Sequence, residues 1–339
     1  PVPAFTLSCF WPSAYARPNS ASGPTDMRLV RHLNDLPFDE LRDGSAVTIG
    51  AYDGLHLGHE QLLARVKATA EERGLPSIVM SFEPTPKEFF SSSNPPARLM
   101  RFREKFEALA DHGIDIFYCP RFNAQMRDIA ADAFIRRILV HGLCARHVVV
   151  GDDFRFAAKR EGRLEHLQQA GRALQYDVER VSSVIVEGVR VSSTAIREAL
   201  WDGDIAHATA LLGRPYRMSG KVVLGEKVGR TLGFPTANVD LRRKQSAVMG
   251  IFAVRVRGLP GGTQDAVASV GTRPTFDGTK PILEVHIFDF DEDIYGKYIH
   301  VDFIGRLRSQ VKYDDISDLV AQMHRDADNA RSILAADAA

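Results

Sequence analysis

The chain has 339 residues, long for one folding unit and comfortable for two. Its 43 basic and 43 acidic side chains cancel, so no global charge draws it to nucleic acid or to a membrane surface. No apolar run approaches the ~18–20 residues of a membrane span, and Cys9, Cys119 and Cys144 are too scattered for a metal site, a pattern that reads as reduced structural thiols in the cytosol.

Residues 1–26 are rich in Pro, Ser and Ala. Ala14-Tyr15-Ala16 imitates a signal-peptidase site, but no basic run precedes it and prolines interrupt the apolar part. The segment reads as a disordered extension ahead of a natural start at Met27. From there strand-like and helix-like segments alternate. Strands are expected at 46–51, 76–82, 114–119 and 146–150. Helices are expected near 59–73, 98–112 and 128–142, with Gly74, Gly113 and Gly142 as their C-caps. Such alternation implies an α/β unit, a doubly wound parallel sheet that binds ligands beyond the carboxyl ends of its strands.

Four segments at that edge carry candidate chemistry. The first is Gly50-Ala51-Tyr52-Asp53-Gly54-Leu55-His56-Leu57-Gly58-His59. A strand turning into a helix through glycine leaves free N–H groups at the positive end of the helix dipole, which suits a phosphate. His56 and His59 add imidazole donors, although such a pair alone also fits capping residues or half of a metal site. The second, Phe82-Glu83-Pro84-Thr85-Pro86-Lys87-Glu88-Phe89-Phe90, is a proline-stiffened loop with aromatics. The third, Gly151-Asp152-Asp153-Phe154-Arg155-Phe156, ends a buried strand in two carboxylates, which is costly unless a site uses them. The fourth, Val191-Ser192-Ser193-Thr194-Ala195-Ile196-Arg197, reads as a helix N-cap whose hydroxyls and guanidinium also suit a polyphosphate.

Gly213 and Pro215 stop a short helix, and composition then changes. Strand-like segments at 216–224, 250–258, 265–270, 282–290 and 297–304, followed by a helix at 315–335, imply a small antiparallel β-barrel with one C-terminal helix. The boundary is placed near 213–216, giving units of 27–213 and 214–339. Between the first two strands lies a glycine-rich loop, Gly225 to Gly233, leading into Phe234-Pro235-Thr236-Ala237-Asn238; the strict G-x-x-x-x-G-K-[ST] loop is absent. In 282–288, Ile282, Glu284, His286 and Phe288 share one strand face.

His56-x-Gly58-His59 resembles the signature of adenylyl- and cytidylyltransferases, and the wider G-x-Y-D-G-x-H-x-G-H is most similar to the FAD synthetase branch. The segments F-x-P-x-P-x-x-x-F, G-x-D-F-x-F and S-S-T-x-x-R are similar to the same family, with Thr85 where it usually has His and Ala157 where it has Gly. Gly229-Arg230-Thr231-Leu232-Gly233-Phe234 and the following P-T-A-N resemble riboflavin kinase. The double resemblance implies a bifunctional prokaryotic FAD synthetase: riboflavin is phosphorylated to FMN with ATP and Mg²⁺, and FMN is adenylylated to FAD with release of pyrophosphate.

It also implies the site residues. For adenylyl transfer, Gly50, Asp53, His56, His59, Asp153, Ser193, Thr194 and Arg197 would bind ATP, and Pro86 and Phe90 would contact the flavin ring. For the kinase, Gly229, Arg230, Thr236 and Asn238 would bind ATP, Thr236 and Asn238 would hold the metal, and Glu284 would be the general base. His56, His59, Arg197 and Glu284 are the catalytic set. The expected partners are small molecules in a cytoplasmic enzyme, with no nucleic acid or membrane and with a homo-oligomer left open. A chain with one live activity and a non-catalytic flavin-binding regulator are the alternatives, and the latter would be expected to lack residues of these sets.

Overall fold

Six short strands make a wholly parallel sheet: β1 (Arg28–Val30), β2 (Ser45–Ile49), β3 (Ser77–Met80), β4 (Ile116–Tyr118), β5 (Ala145–Gly151) and β6 (Asp177–Val181), in the order β1-β4-β3-β2-β5-β6. The structure is a computed structural model and describes residues 27–225, 229, 232–275 and 278–338; the expected extension 1–26 and Arg230 lie outside the described residues. All five residues of β2 are buried, as a central strand covered on both faces requires. The four expected strands are present. The two edge strands went unpredicted because β1 has three residues and β6, Asp-Val-Glu-Arg-Val, interleaves charges with its apolar positions. The chain leaves β2 toward β3 on one side and returns to place β5 on the other, so the switch point lies between β2 and β5.

Helix α1 (Leu57–Arg73) stops at Gly74, whose φ of 65° is left-handed. Helix α2 (Pro86–Phe90) and helix α3 (Phe102–Asp111) follow. The helix expected over 128–142 is different. It is broken into α4 (Ala124–Arg127), α5 (Ala131–Ala133) and a wider π-type stretch Phe134–Val140. Gly142 is not a left-handed cap; a Cβ there would lie 2.6 Å from Leu33 and 2.8 Å from the Ile138 carbonyl, so close packing fixes this glycine. Beyond α6 (Leu164–Leu174) and the hairpin β7 (Ile185–Val186) and β8 (Val189–Arg190), helices α7 (Ser193–Asp202) and α8 (Ile205–Leu212) end at left-handed Gly203 and Gly213.

Strands β9 (Tyr216–Val223), β10 (Ala237–Asp240), β11 (Gly250–Leu259), β12 (Gly262–Thr275), β13 (Gly278–Ile287) and β14 (Tyr298–Arg308) close an antiparallel barrel in the order β10-β13-β12-β11-β14-β9. Strand β10 was not expected. Its sequence, Ala-Asn-Val-Asp, is poor in strand formers, but barrel closure gives it partners on both sides, β9 and β13. The C-terminal helix Ile316–Ala338 sets Ala327, Ala330 and Leu334 against Phe234, Ala253 and Phe288. The apolar cluster of the barrel interior continues into α7, α8 and Leu99, joining Ile196, Leu200 and Leu211 to Met218 and Phe252. Among the described residues no helix is long and apolar enough to cross a membrane.

Candidate active sites

The turn after β2 is held open by local chemistry. Gly50 lies under the Tyr52 ring, where a Cβ would approach Tyr52 Cε2 to 2.9 Å. Tyr52 is fully buried, bonds Thr48 Oγ1 at 2.7 Å, and packs its ring 5.0 Å from that of His59. His56 is the N-cap of α1, accepting from the His59 amide, and the two imidazoles stack 3.7 Å apart with 15° between planes. Burial pulls His56 down from its ordinary value to about 4, and burial, reinforced by His56 and Lys105, holds His59 well below its ordinary value. Both rings are therefore neutral near pH 7. His59 Nδ1 is buried with no hydrogen-bond partner among the described residues, a condition that a ligand or water ordinarily relieves.

A second helix start converges on the same turn. Ser192 caps α7, and Ser193 Oγ donates to the Asp53 carbonyl at 2.8 Å. Two positive helix ends thus meet near Asp53, which favours an anion. Arg197 forms an ion pair with Asp53, and it also donates to the Ala97 carbonyl at 2.6 Å and to the Ser193 carbonyl at 2.9 Å. Three of its five N–H donors are committed inside the protein. Thr194 is exposed at the helix start. Asp153, beyond β5, is exposed and pairs with Arg190 of β8 at 2.7 Å, while its neighbour Asp152 accepts from Ser183. Ala157 adopts φ 63°, ψ −172°, a region nearly confined to glycine, so the departure at this position carries backbone strain of about 1–3 kcal/mol.

The proline loop forms helix α2 through a capping box in which Thr85 accepts from the Glu88 amide and Glu88 accepts from the Thr85 amide at 2.9 Å. Pro86 opens that helix and Phe90 closes it. Phe90 is 66% exposed, at the rim of an aromatic group with Phe89 and Phe122. A flat apolar ligand would find a platform there.

The barrel holds the other set. In the register of β10 against β13, Asn238 stands directly opposite Glu284. Both line a cavity of about 600 Å³ together with Gly229, Thr236, Arg308 and Asp326. Arg308 and Asp326 are paired through two nitrogens, at 2.9 and 2.6 Å. Glycine leaves the room: a Cβ on Gly225 would lie 2.2 Å from Asn238 Nδ2, and one on Gly229 would lie 2.3 Å from the Phe234 carbonyl and 3.3 Å from Thr236 Oγ1. Oxygen donors in a cradle of this kind suit a hard cation that shares its coordination with phosphates.

Two functional neighbours escaped the sequence reading. Lys105 is buried, donating to the Ala51 carbonyl at 2.6 Å and to Ser81 Oγ, so it braces the turn that carries the histidines. Its signal was its place four residues before buried Leu109 on α3. Arg98 bridges Glu83 at 2.6 Å and Glu88, fastening α2; no local pattern announces it.

Comparison with known proteins agrees with both regions. The family described as FAD synthetase matches residues 39–195, and that described as riboflavin kinase matches residues 212–334. A bifunctional riboflavin kinase/FMN adenylyltransferase of Escherichia coli is 43% identical over 305 residues, covering 90% of this chain and 97% of that protein. The protein of the same description from Haemophilus influenzae is 40% identical over 306 residues, covering 90% and 99%. A crystal structure from Streptococcus pneumoniae, described as a macrolide-efflux protein, superposes with a TM-score of 0.75 at 30% identity, covering 90% of this chain and 98% of that one. With both regions matched in order along nearly the whole of such relatives, the chain belongs to the bifunctional riboflavin kinase/FMN adenylyltransferase family.

Proposed function

We propose that the two reactions of this family are divided between the two sites, adenylyl transfer in 27–213 and riboflavin phosphorylation in 214–339. The chain phosphorylates riboflavin to FMN with ATP and adenylylates FMN to FAD, releasing pyrophosphate. What carries the division is that Asn238 faces Glu284 in the barrel cavity, while the His56–His59 stack sits on a different scaffold where two helix starts converge.

In the kinase site Glu284 takes the proton of the ribityl hydroxyl as that oxygen attacks the γ-phosphorus of ATP, and the bond from that phosphorus to the bridging oxygen breaks, releasing ADP. Thr236 and Asn238 would hold Mg²⁺ jointly with the phosphates, and the ion supplies neutralisation of phosphate charge. Gly229 lets the chain approach, and Arg230 steadies the phosphate chain. In the adenylyl-transfer site an FMN phosphate oxygen attacks the α-phosphorus of ATP in line, and the bond to the bridging oxygen of pyrophosphate breaks. No protein nucleophile is needed, because the attacking phosphate is already anionic. Neutral His56 and His59 donate N–H groups to the phosphates, and the charge developing there raises their proton affinity. Ser193 and Thr194 present the α7 start, with Gly50, Asp53 and Asp153 shaping the nucleotide side. Arg197 directs its uncommitted donors to phosphate, and Pro86 and Phe90 receive the isoalloxazine ring. Because both reactions draw on ATP, the cytoplasm is the proposed location.

The test separates the reactions. His59→Ala is expected to lower FAD formation by at least a hundredfold while FMN accumulates from riboflavin. Glu284→Gln is expected to stop FMN formation while supplied FMN is still adenylylated. Loss of both activities in either variant contradicts two independent sites.

A further inference from the structure

Arg243 lies between β10 and β11 with its side chain 1% exposed. Its guanidinium does not serve the barrel. It donates to the main-chain carbonyls of Arg98 and Leu99 and pairs with Glu104 at 2.8 Å. Glu104 in turn accepts from the Ser219 amide of β9 at 2.9 Å and from the Arg101 amide at 2.6 Å. Buried ion pairs are weak sources of stability, since desolvation offsets most of their attraction. The destination of the donors says more.

The segment that Arg243 grips, 97–101, is fastened at two further places. On the nucleotide side, the Ala97 carbonyl accepts from Arg197 Nε at 2.6 Å, and the Met100 amide donates to Asp53 Oδ1 at 2.9 Å. On the flavin side, the Arg98 side chain holds Glu83 and Glu88, the latter being half of the box that caps α2. The strap also borders a cavity of about 930 Å³ lined by Arg98, Arg101, Arg242 and Arg243, so packing does not confine it on that side. Its barrel side is held by Leu99, buried in the apolar cluster of the barrel, by the Arg101 guanidinium, which donates to the Ser219 carbonyl at 2.7 Å and the Tyr298 hydroxyl at 2.8 Å, and by Arg243, whose guanidinium grips the main chain of the segment itself.

We propose that Arg243, contributed by the barrel, is a positioning residue for adenylyl transfer: it fixes 97–101 so that Arg197 and helix α2 stand in register for ATP and FMN. This rests on the assignment of adenylyl transfer to the His56–His59 site. In-line attack depends on placement at the ångström scale, so a strap loosened at one end misplaces both substrates. Lysine at 243 would retain the charge beside Glu104 but lose the planar fork that reaches two carbonyls and a carboxylate at once.

The experiment compares Arg243→Lys and Arg197→Ala in the full chain, assaying FAD formation from supplied FMN and, separately, FMN formation from riboflavin. The kinase rate of each preparation counts its folded chains. Arg243→Lys is expected to lower kcat/KM for adenylylation at least tenfold, raising KM for both ATP and FMN, with riboflavin phosphorylation within twofold of the parent. If Arg197→Ala leaves adenylylation intact, the site assignment fails and this proposal with it. If Arg197→Ala cripples adenylylation while Arg243→Lys keeps the parent KM values, the site stands and the role of Arg243 is overturned. A parallel fall of both activities in Arg243→Lys marks general structural support and also overturns it.

Discussion

His56 and His59 stack face to face behind Tyr52, where burial keeps both uncharged. This has a consequence for stability. An unfolded histidine titrates near 6.5, whereas folded His56 titrates at about 4. Between those values the unfolded chain binds a proton that the folded site refuses, so stability falls as the pH drops through that window. The contribution of His56, about 3 kcal/mol, is fully present above pH ~6.5 and lost by pH ~4. Denaturant midpoints measured from pH 7 to 4.5 should therefore fall more steeply for the parent than for His56→Gln. Equal slopes would mean that His56 is not held neutral. The motif itself was legible because its two imidazoles and two glycines are adjacent in sequence. The neutrality was not, because it depends on Tyr52, Lys105 and the sheet closing around them.

Helix α2 shows how a departure from the family pattern is absorbed by an element. Five residues are too few to hold a helix by hydrogen bonding alone. Thr85 makes it possible by capping, a role worth about 1 kcal/mol. Since Pro86 and Phe90 ride on this helix, Thr85→Ala should raise KM for FMN about fivefold with kcat little changed, 1 kcal/mol corresponding to about that factor at 25 °C. An unchanged KM would detach α2 from flavin binding. The loop was legible from its prolines and aromatics. The capping box is written in Thr85-x-x-Glu88, but the prolines on either side of Thr85 make the stretch read as a loop rather than as a helix start. Strand β10 was hidden for another reason: Asn238 and Asp240 disfavour strands locally, and their pairing exists only because β9 and β13 are brought to either side.

At the scale of the whole molecule the two units are not beads on a linker. The barrel cluster takes in Leu99 and the apolar faces of α7 and α8, and Arg243 and Glu104 join the units through buried charge. Unfolding is therefore expected as one cooperative transition, with calorimetric and van't Hoff enthalpies in agreement. Two resolved transitions would show that the shared face does not couple the units. The sequence by itself determined the alternation that makes a parallel sheet, the barrel that follows, and the motifs whose members lie within a few residues of one another. Periodicity reports which face of an element is buried, and glycine and proline report where an element stops. Neither reports what a buried polar group meets. Asn238 opposite Glu284, Arg197 on Asp53 and Arg243 on the Arg98 carbonyl join residues 46, 144 and 145 positions apart. Such pairings were decided only by tertiary structure, because a buried charge takes its partner from whatever the fold places beside it.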